Sequence, residues 1–184
     1  MRPIALLTKN MTNDKLYVIT CKGLKSGTYD YEFKVGSALF EVEQSEDIKG
    51  GEFDVRVKMR KSGSFAELDV ALDGTAVVEC DRCLEDCSLP VSCESTLTVR
   101  FADGEPDYDG EVMHVSAAEQ EIDLTHYIYE SIVLSLPYSR VHPEGECNPE
   151  MLERIAGIGV LDDEEGDEDG DGEWNDDDGI TDEE

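Results

Sequence analysis

Positive charge is what this sequence has least of. Its 184 residues carry 45 Asp and Glu against 15 Lys and Arg, a formal net charge of -30. A chain so acidic repels phosphate on average, which excludes a broad footprint for bare nucleic acid; contact with RNA has to be local or carried by a partner. Long hydrophobic runs are missing as well, since none approaches the roughly 18 apolar residues of a membrane-spanning helix. The opening MRPIALLTKNM has an apolar stretch of about five residues, where a secretory signal needs about 7 to 15. These absences point to a cytoplasmic protein without membrane contact. Histidine is sparse, with three copies. His114 falls in an expected strand and His126 on the outer face of an expected helix, so both read as structural or solvated. No Gly-rich phosphate loop, nucleophile elbow or H-E-x-x-H pair occurs, so neither a small-molecule substrate nor catalysis is expected.

What charge there is lies unevenly. From Asp162 to Glu184, 15 of 23 residues are acidic and none is basic. Trp174 and Ile180 are the only sizeable apolar side chains there, too little surface to offset roughly 1 to 2 kcal/mol of backbone entropy per residue. The expected organisation is therefore one domain over residues 1–161 and a disordered acidic tail over 162–184, which either solubilises the chain or holds a basic partner.

Ahead of the tail the dominant period is two. In EFDVRVKMRK, Glu52 to Lys61, Phe53, Val55, Val57 and Met59 face one way and Asp54, Arg56, Lys58 and Arg60 the other. SGS turns the chain, and FAELDVAL continues with Leu68, Val70 and Leu72, with Gly74 read as a bulge or bend. SLPVSCESTLTVRF resumes the alternation, while KLYVITC and YDYEFKV add earlier strands. From Asp123 the period changes: Leu124, Ile128, Ile132 and Leu136 recur every four residues, Asp123 is a good N-cap, and Pro137 stops the run. This predicts a helix over about 123–136, with a shorter one at NPEMLERIAG. The fold class is α+β: an antiparallel sheet-dominated domain with its main helix packed on the sheet.

Six cysteines in a cytosolic protein stay reduced, which favours metal ligands or buried thiols over disulfides. Three of them stand in CDRCLEDC, residues 80 to 87, on the connection between two long strands. The C-x-x-C spacing of Cys80 and Cys83 lets two thiolates reach one tetrahedral zinc ion at about 2.3 Å each. HPEGEC, beyond the helix-ending proline, offers His142 and Cys147, and Cys87 is a spare. A metal held by such a set staples the knuckle to a segment about sixty residues away and adds folding free energy. Four independent core or surface thiols without a metal would give the same spacing, and both readings stand at this level. A redox pair would open a helix in a parallel βαβ context, which is lacking. Arg56, Lys58 and Arg60 form a basic stripe able to neutralise a few phosphates, or simply a solvated sheet face.

The stretches VVECDRCLEDC and IDLTHYIYESIVLSLPYSRVHPEGEC resemble the YceD family, the large ribosomal RNA subunit accumulation proteins, over roughly residues 50 to 147. The most specific features are the C-x-R-C knuckle of Cys80, Arg82 and Cys83, and a helix bearing Glu130 that ends in Leu-x-Leu-Pro at Leu134 to Pro137. His142 and Cys147 follow. The resemblance implies a non-enzymatic role in accumulation or processing of 23S rRNA and in large-subunit assembly. It implies as partners a ribosomal protein, an rRNA-processing factor or the 23S rRNA precursor; the contact candidates are Arg82 on the knuckle and, from the basic stripe, Arg56, Lys58 and Arg60. The competing expectation is a metal-dependent hydrolase or nuclease acting on precursor rRNA through an open coordination position.

Overall fold

The computed structural model describes residues 15–104, 107–118 and 120–159. They fall into two units, one ending at Asn148 and one beginning at Pro149. The expected tail at 162–184, and the domain boundary before it, lie outside the described residues.

Three long strands dominate the first unit. β3 (Ile48–Ser62), β4 (Phe65–Glu79) and β5 (Asp86–Ala102) run as an antiparallel meander. Strict alternation in the sequence becomes a two-faced sheet: Phe53, Val55, Val57, Met59, Leu68, Val70, Leu72, Val91, Leu97 and Val99 are all buried on one side. β3 and β4 meet at a two-residue turn in which Gly63 takes φ +57°, a value that costs glycine little. β2 (Gly27–Val35) lies antiparallel outside β3. On the other side β7 (Val112–Ser116) joins β5 in parallel, and β6 (Asp107–Tyr108) completes the order β2-β3-β4-β5-β7-β6. The loop containing β6 carries no periodic pattern long enough to have predicted a strand.

Gly74 is not a bulge. β4 holds register with both neighbours through it, opposite Phe53 and Val91. A Cβ there would collide with the Glu52 carbonyl oxygen and stand 2.6 Å from Cδ1 of Phe53. The glycine is there because the Phe53 ring occupies the space a side chain would need. The register shift in this sheet lies between Ile48 and Gly50 on β3.

A second layer covers the apolar face. It contains the ribbon of β1 (Val18–Thr20) with β8 (Glu121–Asp123), the short helix α1 (Ala38–Val42) and the main helix α2 (Thr125–Leu134). Ile19, Leu39, Ile122, Leu124, Ile128 and Ile132 are fully buried. The layers meet through the rings of Phe40 and Phe53 at 6.2 Å, the sulfurs of Cys21 and Met59 at 3.7 Å, and the Tyr127 hydroxyl, which donates to Ser95 Oγ at 2.7 Å. α2 is shorter than the predicted 123–136 because both of its ends are occupied otherwise. Asp123 pairs with Val18 as the last residue of β8, yet still accepts from the Thr125 backbone N–H at 3.0 Å and its hydroxyl at 2.7 Å. At the other end Ser135 and Leu136 close with i to i-3 bonds ahead of Pro137. α1, five residues long, had no sequence signal of helical length.

The second unit contributes α3 (Pro149–Gly159), with proline at its first position, where the missing N–H costs nothing, and Glu150 in its first turn.

Candidate metal centre

The connection from β4 to β5 is a tight knuckle. Cys80 N–H donates to the Glu85 carbonyl at 2.9 Å, and Leu84 N–H donates back to the Cys80 carbonyl at 2.9 Å. Closing that loop puts Leu84 at φ +60°, a left-handed conformation that costs a leucine on the order of 1 kcal/mol. The strand ends on either side are tied by Lys49, which reaches Glu79 at 3.2 Å and Asp86 at 2.6 Å.

The segment after α2 folds onto this knuckle through backbone bonds. Asp81 N–H donates to the Arg140 carbonyl at 2.7 Å, and Arg140 N–H donates to Asp81 Oδ2 at 2.7 Å. The Arg140 guanidinium reaches Asp47 at 3.0 Å, and Asn148 donates to Glu85 at 2.7 Å. Asp81 thus holds the second arm, a role without a sequence signature because its partner is a backbone 59 residues away.

Between the arms, one donor atom each from Cys80, Cys83, His142 and Cys147 lies within 4.8 Å of all the others, a group that can hold a metal ion. Cys80 Sγ stands 3.9 Å from Cys147 Sγ; His142 Nδ1 stands 3.3 Å from Cys83 Sγ and 3.9 Å from Cys147 Sγ. The three thiols are buried. His142 Nε2 lies 3.1 Å from the Asp86 carbonyl oxygen, which can only accept, so in the neutral ring the proton sits on Nε2 and the Nδ1 lone pair is left facing the sulfurs, the form a metal would take.

The electrostatics favour a thiolate here. Burial opposes ionisation of Cys80, but backbone N–H groups of Cys83, Arg82 and His142 and the Cys83 thiol more than offset it, bringing Cys80 down to about 6. Burial, followed by the hydrogen bond to Cys80 and then the charge of Cys80, pushes Cys147 up to about 11. His142 is raised, chiefly by its hydrogen bond to Cys80. Cys87, the spare of the sequence reading, is not among the four: it sits on β5 opposite Val78, 1% exposed, its thiol raised by burial. All six cysteines are free, and Cys21 is buried in the core while Cys93 is half-buried.

The basic candidates are not gathered here, apart from Arg82, which is exposed on the knuckle. Arg56, Lys58 and Arg60 stand on the open face of β3, opposite Ala71, Asp69 and Glu67 of β4. Ala71 is eight residues from Glu79, about 26 Å along a strand. The stripe is flanked by acid, with Glu32 and Asp30 facing Arg56 and Lys58 from β2. Arg60 is held by Asp69 at 2.6 Å and Glu67 at 2.7 Å. On the opposite face, His126 bridges Glu43 at 2.9 Å and Glu130 at 3.3 Å. Among the described residues no helix is long and apolar enough to cross a membrane.

No curated protein and no solved structure matches the chain. A family match covers residues 68–177, starting within β4 rather than near residue 50 and running past Cys147 into residues beyond those described. It takes in the knuckle, α2 and both arms of the cysteine–histidine cluster, and its description is large ribosomal RNA subunit accumulation protein YceD. On that match, which covers more than half its length, the chain belongs to the YceD family, whose role is in accumulation of large-subunit ribosomal RNA.

Proposed function

We propose that the protein is a non-enzymatic factor in cytoplasmic assembly of the large ribosomal subunit. In this reading Cys80, Cys83, His142 and Cys147 hold a zinc ion that keeps the knuckle in shape for docking a ribosomal protein or an rRNA-processing factor. The observation that carries the proposal is the closure of the donor set. Zinc–sulfur bonds of about 2.3 Å at tetrahedral angles put sulfurs about 3.8 Å apart. The 3.9 Å between Cys80 and Cys147 supports that fit, as does the Nδ1 of His142 turned toward the thiols. Three thiolates and one imidazole fill four positions, leaving none for a water or a substrate. Zinc in such a set supplies folding free energy rather than a nucleophile. No carboxylate among the described residues joins the cluster as a base, which is why a nuclease acting on precursor rRNA is the weaker reading. Arg56, Lys58 and Arg82 are the better candidates for 23S precursor contact, since Arg60 is engaged by Asp69 and Glu67.

Two measurements test this together. Cells lacking the protein should contain less mature 23S rRNA, restored by the wild-type chain. The purified, zinc-loaded protein should leave a 23S precursor intact. Turnover cleavage that disappears in Cys83→Ser would overturn the assembly reading.

A further inference from the structure

Both donors of the second arm lie between two fastenings to the knuckle. Asn148, the residue after Cys147, donates to the Glu85 carboxylate at 2.7 Å, a single bond between exposed side chains. Arg140, two residues before His142, is held twice: its carbonyl accepts from the Asp81 N–H, and its N–H donates to Asp81 Oδ2, both at 2.7 Å. This closed pair copies the two hydrogen bonds that opposed residues exchange in an antiparallel ladder, with the aspartate carboxylate standing where a carbonyl would be. Asp81 is itself fixed, because it follows Cys80 in the loop closed by the Cys80–Glu85 and Leu84–Cys80 backbone bonds. The Arg140 side chain takes no part in the pair, since its guanidinium goes to Asp47.

We infer that Asp81 is the positioning residue of the metal centre: without being a ligand, it brings His142 and Cys147 to Cys80 and Cys83 and so sets how tightly the four hold an ion. This rests on the reading of those four residues as a metal site. The reason is entropic. Cys80 and Cys83 sit on one tight loop, but His142 arrives on a segment 59 residues beyond Cys83 and has to be ordered against it. With Arg140 clasped, part of that ordering is done in the metal-free protein; without the clasp the same cost comes off the affinity. Two contacts of His142 depend on the arm staying in place. Its backbone N–H donates to the Cys80 sulfur, and its Nε2 meets the Asp86 carbonyl at 3.1 Å. What Asp81 contributes is an acceptor oxygen at one point, and its negative charge is incidental.

Four substitutions in the full-length protein separate these properties, with zinc affinity read by competition against a chromophoric chelator. Asp81→Ala should bind zinc about ten-fold more weakly than wild type. At saturating cobalt(II) its absorption spectrum should still match wild type, because the donors are the same once the arm is ordered. Asp81→Asn, which keeps the oxygen and loses the charge, should stay within about three-fold of wild type; Asp81→Glu, which keeps the charge and moves the oxygen out by a methylene, should lose about as much as alanine. Arg140→Ala, which leaves the backbone pair intact, should also stay within about three-fold. Should Asp81→Ala fail to fold, the contrast between asparagine and glutamate decides alone. Zinc affinity of Asp81→Ala within about three-fold of wild type overturns the positioning role and leaves the metal reading standing. Asparagine as weak as alanine, or glutamate as tight as wild type, shows that charge acts and overturns it too, as does an altered cobalt spectrum at saturation. Wild-type protein that takes up neither zinc nor cobalt defeats the metal reading beneath.

Discussion

A side chain at position 74 has nowhere to go. Its Cβ would lie 2.6 Å from Phe53 Cδ1 and 2.7 Å from the Phe53 Cα, and in a paired central strand neither the backbone nor the buried ring can give way. Gly74→Ala should therefore lower the urea midpoint, by about 1 to 3 kcal/mol of unfolding free energy, even though alanine reduces the entropy of the unfolded chain. From the sequence a glycine in a strand reads equally as a bulge or as a close approach, and only the Phe53 ring opposite decides between them. The site divides in the same way. Cys80 and Cys83 are legible because C-x-x-C is local, and His142 and Cys147 because their spacing suits a ligand pair. The Asp81 and Asp86 backbone contacts that position them leave no mark on the sequence, since every residue has a backbone. Nor does the left-handed turn at Leu84, where glycine would have been the signal.

Elements were legible in proportion to their length. β4 and β5 repeat the two-residue period over 15 and 17 residues and β3 repeats it from Phe53 onward, past its register shift, which no other structure satisfies, whereas α1 and β6 are five and two residues long and have no period to read. The link between α1 and α2 is electrostatic as well as apolar: His126 on α2 meets Glu43 just past α1 and Glu130 one turn on. Those carboxylates, Glu43 first, raise its pKa above the usual histidine value. Because the folded value lies above the unfolded one, this contribution is complete below about pH 6.5 and fades as pH rises through the folded pKa. With the imidazole 57% exposed, solvent screening limits it to about 0.5 kcal/mol. His126→Gln should flatten the decline of stability between about pH 6 and 8, and chemical denaturation across that range measures it; an unchanged slope would remove the ion pair from the account.

For the molecule as a whole, the cysteine–histidine cluster joins the β4–β5 connection of the meander to the segment beyond α2, so it bears on the cooperativity of the unit that ends at Asn148. If the cluster holds zinc as proposed, a chelator should lower the melting temperature and make the arm around His142 sensitive to protease, and added zinc should reverse both. Cys83→Ser should start from the low value and ignore the chelator. The overall charge makes a separate demand: self-repulsion at -30 should relax with salt, so the melting temperature should rise between about 0.05 and 0.5 M sodium chloride. The two arms of the cluster also set a schedule. Cys83 and His142 are 59 residues apart in the chain, so at about 5 to 20 residues per second the second arm leaves the ribosome roughly 3 to 12 s after the first. The hairpins of the meander can pair in that interval, within microseconds to milliseconds, while Cys80 and Cys83 wait with half a coordination shell. On the proposed zinc reading, metal loading is then the last event of synthesis for this unit, and a translating ribosome that pauses between the two arms leaves two reduced thiols open to whatever reacts with them first.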